Sequence, residues 1–394
     1  MARPRTAMLV GGALCLVLTL APLAGASRAQ TSSRSGGSAQ APPALPPPAG
    51  PPPAAPPSAG WEITSKDGTA SIKLGFLAQG QAEWLETASG QDVAANLFLR
   101  RFRILFGGRI SDRWSFFFET DSPNVGKANA SGVKDASDIF IQDVYLTYSW
   151  SDALKMDAGM LLFPLSRQHG QSAALLLALD YAPYAFVESG PTGERVGRDY
   201  GAQLRGYPFR RKFEYRVAVL QGVRGPEGDN PFRVAARAAW YPFGTDMGYF
   251  YGGTYLGRRR FISLGGSLDR QKDYHVYSVD AFYEQPLGEG RGVTLQGGWT
   301  HFDGAQSIRV LPEQNTWFVE AGAHLGLNLT PFVQYASRRF TSEGVPGEDY
   351  VQAGLAWWMK GHQRNLKAGV GRFAGDEAVP TRTQFVVQLQ IFYY

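Results

Sequence analysis

The chain has one cysteine in 394 residues, and that residue, Cys15, lies inside the leading apolar run MLVGGALCLVLTLAPLAG. The leader is basic at Arg3 and Arg5 and ends in small residues, Ala24-Gly25-Ala26 or Ser27-Arg28-Ala29. That is the form of a secretory signal peptide over 1–29. Gly11, Gly12 and Pro22 interrupt the run, which is short for a membrane span. Leu14 before Cys15 is not the small residue that lipid modification needs. Once the leader is cleaved no thiol remains, so disulfides and thiolate chemistry are excluded.

Charge is also sparse, at 19%. The net +5 comes largely from 1–60, which carries Arg3, Arg5, Arg28 and Arg34 and no acid, whereas 61–394 holds 35 basic against 34 acidic residues. That balance leaves no nucleic-acid footprint. Neither GxSxG, HExxH nor CxxC occurs, and the five histidines (His169, His275, His301, His324, His362) are scattered. Hydrolysis needs a nucleophile, a base and an orienting acid at one place, so neither an enzyme, a cofactor nor a metal site is expected. His324 falls on one face with Glu320, as a proton pair or as a satisfied wall histidine. Residues 30–60 are Pro-, Ala- and Gly-rich without periodicity and read as an extended disordered spacer, a tether or an arm toward the cell wall.

Glycine (47), phenylalanine (24) and tyrosine (18) are plentiful, and from residue 70 a period of two takes over. In 96–110, NLFLRRFRILFGGRI, Phe98, Phe102, Ile104, Phe106 and Ile110 share a face with Arg100. Arg101, Arg103 and Arg109 take the other face with Gly107, a separation that a strand makes and a helix does not. Arg100 would then lie on the lipid side near the outer rim, reaching lipid phosphates. About sixteen such segments follow, near 70–85, 96–110, 113–122, 138–150, 153–163, 197–208, 211–222, 231–242, 260–270, 273–285, 292–303, 315–325, 329–339, 349–359, 364–373 and 382–394.

Short joins alternate with long ones, 164–196 being the longest. Two break the rule: 243–259 is long where a short join is due, and 271–272 short where a long one is due. Aromatics gather at strand ends (Trp84, Trp114, Tyr148, Trp150, Trp240, Tyr241, Trp357), and the chain stops on IFYY. Together with the leader these features select, over a soluble sandwich, an all-β transmembrane antiparallel barrel over 61–394 in a Gram-negative outer membrane. Closure pairs every backbone group in the hydrocarbon. A ring of sixteen strands is too wide for side chains to fill, so inward arginines stay wet.

At the level of motifs the chain resembles the phosphate-selective porin O/P family. The likeness runs through LRRFRILFGG (99–108), AGMLLFPLS (158–166), GERVGRDYGAQLRGY (193–207), RVAARAAWYPFG (233–244) and WWMKGHQRNLKAGVGRF (357–373). It implies a sixteen-stranded homotrimer in the outer-membrane lipid, passing small anions such as phosphate. It also implies that 164–196 folds inward as a constriction loop, carrying Arg167, Glu188, Glu194 and Arg195, with Ala173–Leu179 against the inner wall. The chain departs from the family in having no lysine within 156–211.

By parity Arg101, Arg103, Arg109, Arg205, Arg216, Arg233 and Arg237 face the lumen, as do Lys73, Lys155, Arg338 and Lys367. So do Glu83, Glu119, Asp121, Asp143, Asp157, Asp199, Glu214, Asp269, Asp280, Glu284 and Glu320. Guanidinium forks bond two oxygens of an oxyanion at once. Each inward arginine therefore either touches the permeant ion or pairs with a wall carboxylate, as Arg101 or Arg103 with Glu119. The alternatives to an anion porin are a general or sugar-conducting porin, for which Phe117, Tyr145 and Tyr207 face inward without being contiguous, and a wall-tethered structural barrel.

Overall fold

The computed structural model describes residues 61–87, 90, 92–136, 138–245, 247–375 and 380–394. The expected leader and spacer lie outside the described residues. Eighteen strands follow in chain order: β1 (Trp61–Thr64), β2 (Ser71–Glu86), β3 (Val93–Arg109), β4 (Trp114–Asp121), β5 (Phe140–Ser151), β6 (Leu154–Leu162), β7 (Arg198–Gly206), β8 (Phe213–Leu220), β9 (Arg233–Trp240), β10 (Phe261–Gln271), β11 (Tyr274–Gly288), β12 (Arg291–Asp303), β13 (Gln314–Leu325), β14 (Leu329–Phe340), β15 (Glu348–Trp357), β16 (Met359–His362), β17 (Arg364–Gly375) and β18 (Arg382–Tyr393).

Sixteen of these make a closed antiparallel barrel. Consecutive strands pair from β2 to β15, β15 pairs with β17 and β17 with β18, and β18 closes on β2 through Gln388↔Gln81 and its neighbours. β1 adds a short antiparallel flap on β2, Trp61 opposite Leu74. Each of the sixteen expected segments is a barrel strand, with ends displaced by three residues or fewer.

Burial is inverted relative to a soluble protein. On β11, Ser278, Asp280 and Glu284 are buried, while Tyr277, Val279 and Tyr283 are exposed. On β18, Gln388 and Gln390 are buried, and Phe385, Leu389 and Ile391 are exposed. An apolar belt turned outward is stable only against hydrocarbon. Among the described residues no helix is long and apolar enough to cross a membrane; here strands do. Val279→Arg, near the middle of β11, is accordingly expected to cost about 2–4 kcal/mol in urea unfolding from lipid vesicles.

The short-turn rim holds the joins at 152–153, 289–290 and 326–328, and the opposite rim the long ones, apart from the two-residue join 272–273 between β10 and β11. Two features depart from the sequence pattern. The first is a β-bulge in β3: Gln79 pairs with Arg101 but Gly80 with Leu99, leaving Arg100 as an extra residue. The alternation therefore flips before it. Phe98 is buried, not lipid-facing as parity required, and Arg100 is drawn toward the lumen rather than to the outer rim. Gly107 and Gly108, also candidates for a slip, keep register against Lys73 and Ile72. At Gly107 a side chain would collide with the Tyr394 hydroxyl, so the small residue there seats the last ring of the chain.

The second departure is the long join 241–260 on the short-turn rim. It folds into the barrel, where Tyr251 is buried and forms an isolated parallel bridge with Gln171.

Candidate pore lining

Two segments enter the barrel from opposite rims, 163–197 and 241–260. They bond directly: Tyr251 N to Gly170 O at 2.8 Å, Ser172 N to Tyr251 O at 3.0 Å and Gly253 N to Leu175 O at 3.1 Å. Inward side chains of the wall hold the first segment by its carbonyls. Lys367 Nζ donates to Leu176 O and Ala178 O, each at 2.7 Å, Gln79 Nε2 to Ala173 O at 3.2 Å and Gln390 Nε2 to Ala174 O at 3.0 Å. Leu177 and Leu179 pack with Phe332, Ala356, Trp358 and Val386. Glu284 anchors the second segment by accepting from Tyr255 N at 2.7 Å and Gly257 N at 2.9 Å.

The inward arginines form a ladder along β3 and β7 to β9, and a carboxylate meets nearly every one. Arg103 bonds Glu119 at 2.6 Å and Asp121 at 2.7 Å. Arg205 bonds Asp157 at 2.7 Å, Arg216 bonds Glu214 at 2.5 Å, and Arg237 bonds Asp280 at 2.5 Å. Arg233 joins Asp269 at 2.5 Å and Glu194 of the entering segment at 2.9 Å. Arg101 reaches Gln79 Oε1 at 3.0 Å and Asp180 at 2.6 Å. Arg109 stands apart: it is exposed at the short-turn rim, with Gly68 O at 3.4 Å.

Of the other loop positions, Arg167 is fully buried, donating to Gly252 O at 2.9 Å and lying 4.3 Å from the Phe282 ring centroid. Glu188 is buried 3.2 Å from His169 Nε2, and burial raises its carboxyl to about 8. Arg195 is exposed over the Phe140 ring at 4.3 Å. His324 does not meet Glu320. Its ring nitrogens reach Thr330 Oγ1 at 2.8 Å and Thr294 Oγ1 at 2.9 Å, while Glu320 accepts from Gln296 and Gln334. Phe117 and Tyr145 are brought together at 5.6 Å, and the second segment adds Tyr249 stacked on Tyr145 at 4.3 Å.

Two residues that period-two parity does not single out matter here. Arg198 bonds Asp143 at 3.1 Å. Asp180, in the loop, bonds both Arg101 and Arg100, the latter at 2.7 Å. Burial opposes the Asp180 charge, but the Arg100 and Arg101 guanidiniums outweigh it and hold this carboxyl well below the usual range.

Between the loop and the wall β14–β18–β2–β3 lies a cavity of about 360 Å³. Its charged lining is Arg100, Arg101 and Lys127 against Glu83 and Asp180, an excess of one positive charge. Lys127 Nζ holds Glu83 at 2.6 Å. Gln81, Gln334, Gln352 and Gln384 supply amides, and Phe98, Tyr181, Phe186, Tyr350 and Phe373 supply ring faces.

No family model matches the sequence, and no curated protein does. Solved structures match in fold. OmpF of Salmonella typhi superposes with a TM-score of 0.56 at 15% identity, covering 84% of this chain and 100% of its own. The anion-selective porin from Comamonas acidovorans gives 0.54 at 11% identity, covering 82% of this chain and 100% of its own. The trimer form of OmpT of Vibrio cholerae gives 0.52 at 9% identity, covering 82% and 100%. The fold is that of outer-membrane porins.

Proposed function

We propose that the chain is an outer-membrane porin for passive diffusion of small solutes, with a mild preference for anions. It is exported by 1–29 and assembles as a homotrimer, as the O/P resemblance implies; its fold matches, among others, an outer membrane protein of Vibrio cholerae solved in trimer form. The carrying observation is the cavity beside the loop, whose lining has three cations and two carboxylates. A charge excess at a narrow, low-dielectric passage sets the barrier for a permeant ion more than distant charges do. The ladder beyond it is charge-compensated, which favours small anions in general over a dedicated phosphate site. The four glutamines of the cavity, both donors and acceptors, also admit neutral polar solutes, the second reading.

The test is the reversal potential of the purified protein in a planar bilayer under a KCl gradient, followed by phosphate. Modest chloride preference with little phosphate block is expected. Cation selectivity overturns the anion preference, and the absence of conductance overturns the porin.

A further inference from the structure

Consecutive residues of a regular strand point to opposite faces, so Arg100 and Arg101 have no reason to share a partner. The bulge removes that restriction. One carboxylate bridges them, with Arg100 Nε to Asp180 Oδ2 at 2.7 Å and Arg101 Nη2 to Asp180 Oδ1 at 2.6 Å. Tyr181 N also donates to Oδ1, at 2.8 Å. Two guanidiniums and a backbone N–H converging on two oxygens are the donor set that phosphate or a carboxylate solute uses.

We propose that the Arg100–Arg101 fork is an oxyanion site that the loop's own Asp180 occupies, making Asp180 the residue that sets the channel's charge selectivity. This rests on the porin reading above. Exposure separates the Arg100–Asp180 half of the fork from the wall pairs, while Arg101, at 6%, is as buried as they are and supplies the inner donor. The Asp180 and Arg100 side chains are 32% and 25% accessible, and both line the cavity, whereas Arg103 and Glu119 are each at 7%. The loop does not depend on this carboxylate for its seat. Lys367 ties the carbonyls of Leu176 and Ala178, Gln334 ties the Asp180 carbonyl at 3.2 Å, and the Tyr181 hydroxyl bonds Gln171 O at 2.6 Å. Neutralising Asp180 therefore leaves three cations against one carboxylate on the cavity lining, with the fork's donors open to the solute.

The experiment compares the full chain with Asp180→Asn and Asp180→Ser in planar bilayers. The serine is included because the asparagine amide oxygen can still accept from the fork. Reversal potential in KCl, block of chloride current by inorganic phosphate, and liposome swelling in neutral sugars are read together. Stronger chloride selectivity and phosphate block at a roughly tenfold lower concentration are expected, the equivalent of one charge-assisted hydrogen bond. Adding Arg100→Gln and Arg101→Gln to Asp180→Ser should abolish the new block. Faster sugar entry with unchanged selectivity and no block overturns the proposal, since Asp180 would then only space the loop. A cation-selective wild type in which Asp180→Ser still gains phosphate block sinks the anion preference of the wild type but not the fork.

Discussion

Arg233→Ala is expected to lower the unfolding free energy of the barrel by about 3–5 kcal/mol, measured by urea unfolding in lipid vesicles followed by tryptophan fluorescence. The side chain is fully buried and donates through all three nitrogens: Nε to Asp269 at 2.8 Å, Nη2 to Asp269 at 2.5 Å and Nη1 to Glu194 at 2.9 Å. Its guanidinium lies 4.0 Å from the Phe163 ring centroid. Truncation strands the Asp269 and Glu194 carboxylates, whose side chains are 0% and 3% accessible, in a place that water reaches poorly. Leaving one buried charge uncompensated is far costlier than replacing a whole pair. Arg233→Ala with Asp269→Asn should therefore recover part of the loss, a coupling that a double-mutant cycle resolves. Arg339→Ala is the control. Its bond to Asp349 is as short, at 2.6 Å, but the side chains are 45% and 35% accessible, so about 0–1 kcal/mol is expected. Equal losses at the two sites would show that water fills the ladder and screens it.

The contrast between these pairs also explains what was legible in the sequence. Alternation placed Arg233 and Asp269 on lumen faces because facing is fixed by the period of two, residue by residue. Whether an inward arginine meets an ion or a wall carboxylate depends on register between strands, and no single segment encodes that. Asp269 sits opposite Ala235, two residues along from Arg233. Parity failed where the chain inserts one residue. The bulge at Arg100 leaves no compositional mark, so Phe98 and Arg100 changed sides together. Asp180 was invisible for another cause, since it lies in a segment without periodicity. The second entering segment did announce itself, as a long join on the rim of short turns. Length alone does not say that it turns inward; its buried Tyr251 and its bonds to 170–175 do.

The loop's tie to the wall gives the other large effect. Replacing 173–182 by a Gly-Ser stretch of equal length removes the leucines that pack on Phe332 and Trp358 and, with them, the packing that presents the 173–180 carbonyls to Gln79, Gln390, Lys367 and Gln334. A flexible polar chain has no reason to stay on that wall, and the lumen of a sixteen-stranded barrel is otherwise too wide for its own side chains to close. Single-channel conductance is expected to rise several-fold, with charge selectivity falling as Asp180 and its arginines cease to frame the passage. Lys367→Met should lie between the two. Methionine keeps the packing length beside Trp358, whose ring centroid is 5.1 Å from Nζ, but it leaves the Leu176 and Ala178 carbonyls without their shared donor. Its conductance should be noisier than that of the wild type and only moderately larger, because Leu177 and Leu179 still hold the segment by packing. If the Gly-Ser replacement leaves conductance unchanged, the permeant path does not pass the loop, and the cavity beside Asp180 is not the narrow point.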